Sequence, residues 1–221
     1  MTSTLRSEPV MTVLGRLHAK AGVEDLEAKQ RVRAHEAQLG ERLPPAQRYE
    51  LYGQAPLAIA PEVGQLYYLL ATARGARSIV EFGASHAIST IYLAAALRDC
   101  GAGSLITTEI LPVKAEIARR NLRDAGLDDV VEVRVGDARE TLRDLPDPVD
   151  VLVLDGRNDL YFAILELVEP HLAAGALIIA DLGVDDPDLR AYQGHLRERD
   201  GAYHSITLPL DAGIELTVRT P

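Results

Sequence analysis

The chain has 221 residues, 47% of them hydrophobic and 25% charged, which suits one soluble domain with a substantial core and a modest extension. Its net charge of -10 argues against a nucleic-acid backbone or an anionic membrane as partner. Cys100 is the single cysteine, which excludes an intramolecular disulfide and a cysteine-based zinc cluster; with no apolar signal core and no bilayer-spanning run, a cytoplasmic protein is expected.

Residues 1–10 read as disordered. From Met11 to about Leu39 the apolar positions Val13, Leu14, Leu17, Ala21, Leu26, Val32 and Leu39 mark a helix among many charges, and Gly22 is expected to divide it. Pro44-Pro45 breaks the pattern, and a short helix from Ala46 to Tyr52 ends at Gly53. Helices this polar do not form a domain of their own. Residues 1–55 therefore read as an extension that packs on the main domain (56–221), covers its cleft or pairs with a second subunit. Their apolar positions lead us to expect a homodimer.

Ala55-Pro56 to Pro61 is extended, and Pro61 opens a helix to about Arg74 that Gly75 ends. Strands are expected at Ser78–Phe82, Ser104–Glu109, Val130–Val135, Val149–Leu154 and Ala176–Ala180, with helices between them. Gly175 is read as preceding the fifth strand, and Pro187 as opening the last helix. His204–Leu208 and Ile214–Arg219 flank Pro209-Leu210-Asp211-Ala212-Gly213 as a β-hairpin. The expected fold is α/β: a Rossmann-like, seven-stranded, mostly parallel sheet with a C-terminal antiparallel hairpin, helices on both faces and added N-terminal helices.

Chemistry concentrates where strands end, because ligands of open α/β sheets bind at the carboxyl edge. Glu81 lies in the first strand just before the Gly83 turn. A dinucleotide fingerprint would place glycines at 83, 85 and 88, but the residues are Gly83, Ser85 and Ile88, so a pyrophosphate is not favoured. Glu109 ends the second strand, where a carboxylate can accept both ribose hydroxyls of a nucleoside. Gly136-Asp137-Ala138 ends the third, where an adenine could lie against the backbone. Asp155 and Asp181 end the fourth and fifth, which should be neighbours about 4.8 Å apart. Two acids there could bind a divalent cation, or one could act as a base. The acidic run Asp185-Asp186-Pro187-Asp188 reads instead as a helix N-terminus. His86 reads as lining the pocket, and the other histidines lack metal-ligand spacing.

The spacing Glu81-x-Gly83-x-x-x-Ala87 with Ser89 resembles the first motif of class I S-adenosylmethionine-dependent methyltransferases. Ile59-Ala60-Pro61-Glu62, Glu81-Phe82-Gly83-Ala84, Thr108-Glu109-Ile110, Gly136-Asp137-Ala138, Leu154-Asp155-Gly156, Ala180-Asp181 and the tail Leu208 to Glu215 together are similar to the catechol and caffeoyl-CoA type of O-methyltransferases. The resemblance runs from about Leu57 to Arg219. It implies an S-adenosylmethionine site lined by Ile59, Glu81, Gly83, Ser85, Ser89, Glu109, Ile110, Asp137, Ala138 and Asp155, with Glu215 beside a small phenolic acceptor. It also implies catalytic positions at 155, 158 and 181, and a magnesium-type ion on Asp155 and Asp181. Two departures matter. Leu182 stands where the family's third metal ligand, an Asn, would be, and Asn158 stands where the family carries its catalytic Lys. Leucine has no donor atom, and Asn cannot remove a proton at neutral pH. Asp155 could then serve directly as the base, or the ion could bind with more water ligands. We expect weak or no metal binding without an acceptor. The alternative reading is a catalytically impaired cofactor-binding module with a structural or assembly role.

Overall fold

The computed structural model describes residues 3–146, 148–182, 187–199 and 201–220. Asp185 and Asp186 of the acidic run lie outside the described residues. Helix α1 (Glu8–Leu39) is continuous over 32 residues. Its stripe Val10, Val13, Leu14, Leu17, Ala21, Ala28 and Val32 recurs every three or four residues and is buried. Gly22 does not divide it. The residue lies on the exposed side, and a lone glycine costs only about 1 kcal/mol against the packing of that stripe. Residues 3–10 are not disordered either. Thr4–Arg6 form a 3-10 turn, and the Asp99 carboxylate accepts from Ser3 Oγ at 2.9 Å, Thr4 N at 3.0 Å and Tyr68 Oη at 2.7 Å. One acid thus ties the N-terminal end to the main body.

The chain continues through α2 (Pro45–Tyr52), α3 (Pro61–Arg74), β1 (Ser78–Phe82), α4 (Ile88–Cys100), β2 (Ser104–Glu109), α5 (Pro112–Ala125), β3 (Val131–Val135) and α6 (Ala138–Thr141). Then follow β4 (Val149–Leu154), α7 (Tyr161–Val168), β5 (Leu172–Asp181), α8 (Arg190–Glu198), β6 (Tyr203–Leu208) and β7 (Ile214–Arg219). Strand order is β3-β2-β1-β4-β5-β7-β6, and β7 runs antiparallel to both β5 and β6. The strand β5 starts earlier than its apolar run suggests. Gly175 sits inside it at φ +71, and the β4–β5 register shifts between Val149 and Val151. A left-handed glycine within a strand is the signature of a bulge, which an apolar run does not reveal.

Side chains alternate across the sheet as a two-residue period requires. Ile79, Val151, Val153, Ile179 and Ile214 join the core beneath α1, α3, α4 and α5. Val80, Phe82, Leu152, Leu154 and Ile178 join the core beneath α6, α7 and α8. The strand order reverses between β1 and β4, so their carboxyl ends flank a crevice at the switch point. Helices α1 and α2 lie over it. Among the described residues no helix is long and apolar enough to cross a membrane.

Candidate active site

The crevice is a cleft of about 310 Å³. Its floor is the loop after β1. Gly83 takes φ +106, Ser85 +44 and Ala87 +66, a run of positive angles that turns the backbone sharply into α4. Glu81 lies beneath the loop, fully buried, where Thr90 and Thr107 each donate to Oε2 at 2.6 Å while Oε1 has no partner. Burial holds its carboxyl above the usual range. It supports the loop from below and does not line the cleft.

The loop is tied to Glu109. Ser85 N donates to Glu109 Oε2 at 2.9 Å, and Leu111 N donates to Oε1 at 2.9 Å. Ser85 Oγ donates to Pro56 O at 2.5 Å. The extended segment is fixed from α1, where Asp25 accepts from Leu57 N and Ala58 N at 2.8 Å each. That contact brings Ile59 to the cleft wall.

Of the ten residues expected at the cofactor, Ile59, Gly83, Ser85, Ser89, Glu109 and Asp155 line this cleft. Ile110, Asp137 and Ala138 do not. Ile110 is 51% exposed, and Ala138 is buried against the α6–α8 side of the sheet. The Asp137 carboxylate caps α6 through Arg139 N and pairs with the Arg139 guanidinium at 2.6 Å. Glu215 is also elsewhere. Ile214 faces the α3–α5 core, so the next side chain points the other way, into a groove with Arg197 and Tyr203. Period-two alternation moves it off the cleft.

Asp155 and Asp181 do meet: they follow the register pair Leu154 and Ala180, and both line the cleft. Burial first, then Asp181 and Glu81, hold the Asp155 carboxyl well above the carboxylate range. Burial first, then Asp211, push Asp181 up to about 6, while Lys29 of α1 draws it back. Tyr161 Oη donates to Asp181 O at 2.9 Å and fixes the end of β5. Each carboxyl raises the cost of ionising the other, so the pair favours holding a proton. Asn158 also lines the cleft.

These residues do not fit a resident divalent cation. Leu182, 7% exposed, stands at the cleft wall and offers no donor atom. Among the described residues no group of three or more His, Cys, Asp or Glu is arranged to hold a metal ion.

Among the cleft residues that sequence reasoning missed are Asp211, Lys29, Tyr49 and Lys114. Lys114 is fully buried, with Nζ 3.3 Å from Ser85 Oγ and 5.5 Å from the centre of the Tyr49 ring. Burial lowers its ammonium pKa, and Glu109 and Asp25 oppose that shift. His86, also buried, falls to about 4 through burial and the nearby Lys20 and Lys114, so it is neutral and lines the cleft as expected.

A family model described as "Methyltransferase domain" matches residues 80–181. The catechol O-methyltransferase of Mycobacterium tuberculosis is 37% identical over 127 residues, which are 57% of this chain and 56% of that protein. The chain thus matches little more than half of that relative's length. A protein named "Putative O-methyltransferase" from Mycolicibacterium vanbaalenii is 32% identical over 176 residues, 73% of this chain and 77% of that protein. A crystal structure of the O-methyltransferase TomG from Streptomyces achromogenes, in complex with SAM, gives a TM-score of 0.67 at 29% identity, covering 75% of this chain and 82% of that one.

Proposed function

The chain belongs to the class I S-adenosylmethionine-dependent O-methyltransferases, and from that premise we propose that it methylates a hydroxyl of a small phenolic acceptor without a metal ion. The observation that carries this reading is that Asp155 and Asp181, at the ends of neighbouring strands, line one cleft beside the motif loop. Transfer is an in-line displacement. The acceptor oxygen forms a bond to the methyl carbon as the carbon–sulfur bond breaks, its proton passes to the acid pair, and S-adenosylhomocysteine leaves as a neutral thioether. Holding oxygen, carbon and sulfur collinear supplies much of the rate, and a base near neutral pKa supplies the rest. Asn158 and Leu182 remove the family's lysine and third ligand, and the carboxyl pair takes over the proton. Turnover against a panel of phenols should therefore survive EDTA. Activity lost on chelation and restored by magnesium would overturn the metal-free reading. A chain that binds the cofactor and methylates no phenol would favour the non-catalytic alternative.

In this reading the cofactor lies along Gly83, Ser85 and Ser89, with its ribose on Glu109. Glu109→Ala should weaken S-adenosylhomocysteine roughly tenfold to a hundredfold, the cost of about 1.5–3 kcal/mol for charge-assisted hydrogen bonds. Unchanged affinity by calorimetry in the folded variant would remove Glu109 from the site.

The homodimer belongs to this reading too, on different grounds from those the sequence offers. Val13, Leu14, Leu17, Ala21 and Val32 are buried within the chain itself. The face left for a second copy is Met11, Val23 and Leu26, which are 58%, 59% and 56% exposed. Leu26→Glu with Val23→Glu should yield a monomer in sedimentation; a monomeric parent chain would refute the dimer.

A further inference from the structure

Helix α2 places a tyrosine hydroxyl on the carboxylate assigned above to the ribose. Tyr49 Oη donates to Glu109 Oε1 at 3.1 Å. A carboxylate offers about four lone-pair positions. Leu111 N shares Oε1 with Tyr49, and Ser85 N takes a position on Oε2, so three are filled. Glu109 is only 4% exposed, which leaves little room for a fifth donor. A ribose diol brings two donors. The two backbone donors cannot leave without undoing the motif loop and the β2–α5 turn. Tyr49 is the donor that can.

The helix that carries it is lightly held. Helix α2 spans eight residues, Pro45–Tyr52, none of them buried, and ends at Gly53 with φ +58. Arg48 pairs at 3.3 Å with Glu36 of α1, so that tether runs to another part of the extension and not to the sheet. The Tyr49 ring rests on the Lys114 ammonium, 5.5 Å from its centre. Such an element has the features of a segment that opens locally at low cost.

We propose that the Tyr49 hydroxyl stands in for a ribose hydroxyl on Glu109, and that cofactor binding displaces it and releases α2. Cofactor and helix compete for one oxygen, so α2 gates the cleft from the cofactor side. Arg48, Tyr49 and Tyr52 all line the cleft, so the displacement reshapes the wall that an acceptor meets. The proposal rests on the assignment of the ribose to Glu109, and its test separates the two.

Tyr49→Phe keeps the ring over Lys114 and deletes only the hydroxyl. By calorimetry it should bind S-adenosylhomocysteine roughly threefold to tenfold more tightly than the parent, as expected when one competing hydrogen bond is removed. The gain should vanish for the 2′,3′-dideoxy analogue, which has no diol to compete. Unchanged or weaker affinity of Tyr49→Phe, while Glu109→Ala still loses binding, overturns the gate and leaves the ribose assignment standing. If Glu109→Ala binds normally, the assignment fails and the gate fails with it. A second readout needs no variant. In the parent chain, S-adenosylhomocysteine should speed amide exchange across residues 45–52, and slower exchange there would mean that α2 clamps the cofactor and would overturn the proposal.

Discussion

Asp181→Asn is expected to lower kcat by roughly a hundredfold to ten-thousandfold, the range of a lost general base, while leaving S-adenosylhomocysteine affinity nearly intact. Burial and then Asp211 push the Asp181 carboxyl up to about 6, and burial and then Asp181 hold Asp155 well above the carboxylate range. In the parent enzyme kcat/KM should rise with pH, because below about 6 the Asp181 carboxyl holds its proton and cannot act as the base. Above that value the rate should level off. Asp155→Asn leaves the Asp181 carboxyl in place and should cost less than Asp181→Asn. The reverse order would assign the base to Asp155, the member first expected from the sequence. Stability supplies a second readout. Asp181 has a folded pKa raised from 3.8 to about 6, so its stabilising contribution is present below 3.8 and is lost as pH rises through about 6. A shift of that size corresponds to about 3 kcal/mol. Asp181→Asn should therefore be more heat-stable than the parent at pH 8 and no more stable near pH 4. An inactive variant that is also less stable at pH 8 would indicate that the pair holds the fold together and is not a strained catalytic base.

The parallel sheet was legible because its signals are local. Apolar runs of five or six residues, prolines opening helices at Pro61 and Pro112, and Gly83 after Phe82 fix the strand ends with no knowledge of the rest. The acid pair followed from strand adjacency. Residues reaching the cleft from distant segments were not legible. Asp211 occupies a hairpin turn with φ +52, and an Asp there reads as turn chemistry. Lys29 and Tyr49 sit on helices whose charges resemble a solvated face. Two others did leave a signal. Asp25 lies on the buried stripe of α1 between Ala21 and Ala28, and Lys114 begins the buried stripe Ala118, Leu122 and Ala125 of α5. A charge on the apolar face of a helix must find a partner inside, and both mark ties between the extension and the motif loop.

Gly83→Ala is expected to abolish measurable cofactor binding and to lower the melting temperature by on the order of 10 °C. The residue has φ +106, a region that side chains with a Cβ rarely enter. A Cβ there would lie 2.5 Å from Asp155 O, 2.8 Å from its carbonyl carbon and 3.0 Å from Gly156 Cα. All three are backbone atoms, so no rotamer change relieves the clash. Asp155 N also donates to Phe82 O at 3.0 Å, which locks the turn after β4 against the end of β1. The added methyl must push that turn outward, and Asp155 moves with it. Strained torsion and backbone displacement together should cost about 2–5 kcal/mol. The same shift pulls the acid pair away from the motif loop, so binding and chemistry fail together. Gly22→Ala is the control. No atom lies within 4 Å of its Cβ, and an exposed helical glycine replaced by alanine should gain about 1 kcal/mol. Normal calorimetric affinity of Gly83→Ala for S-adenosylhomocysteine would mean that the β1 loop does not carry the cofactor, and the site would have to be sought elsewhere on the carboxyl edge.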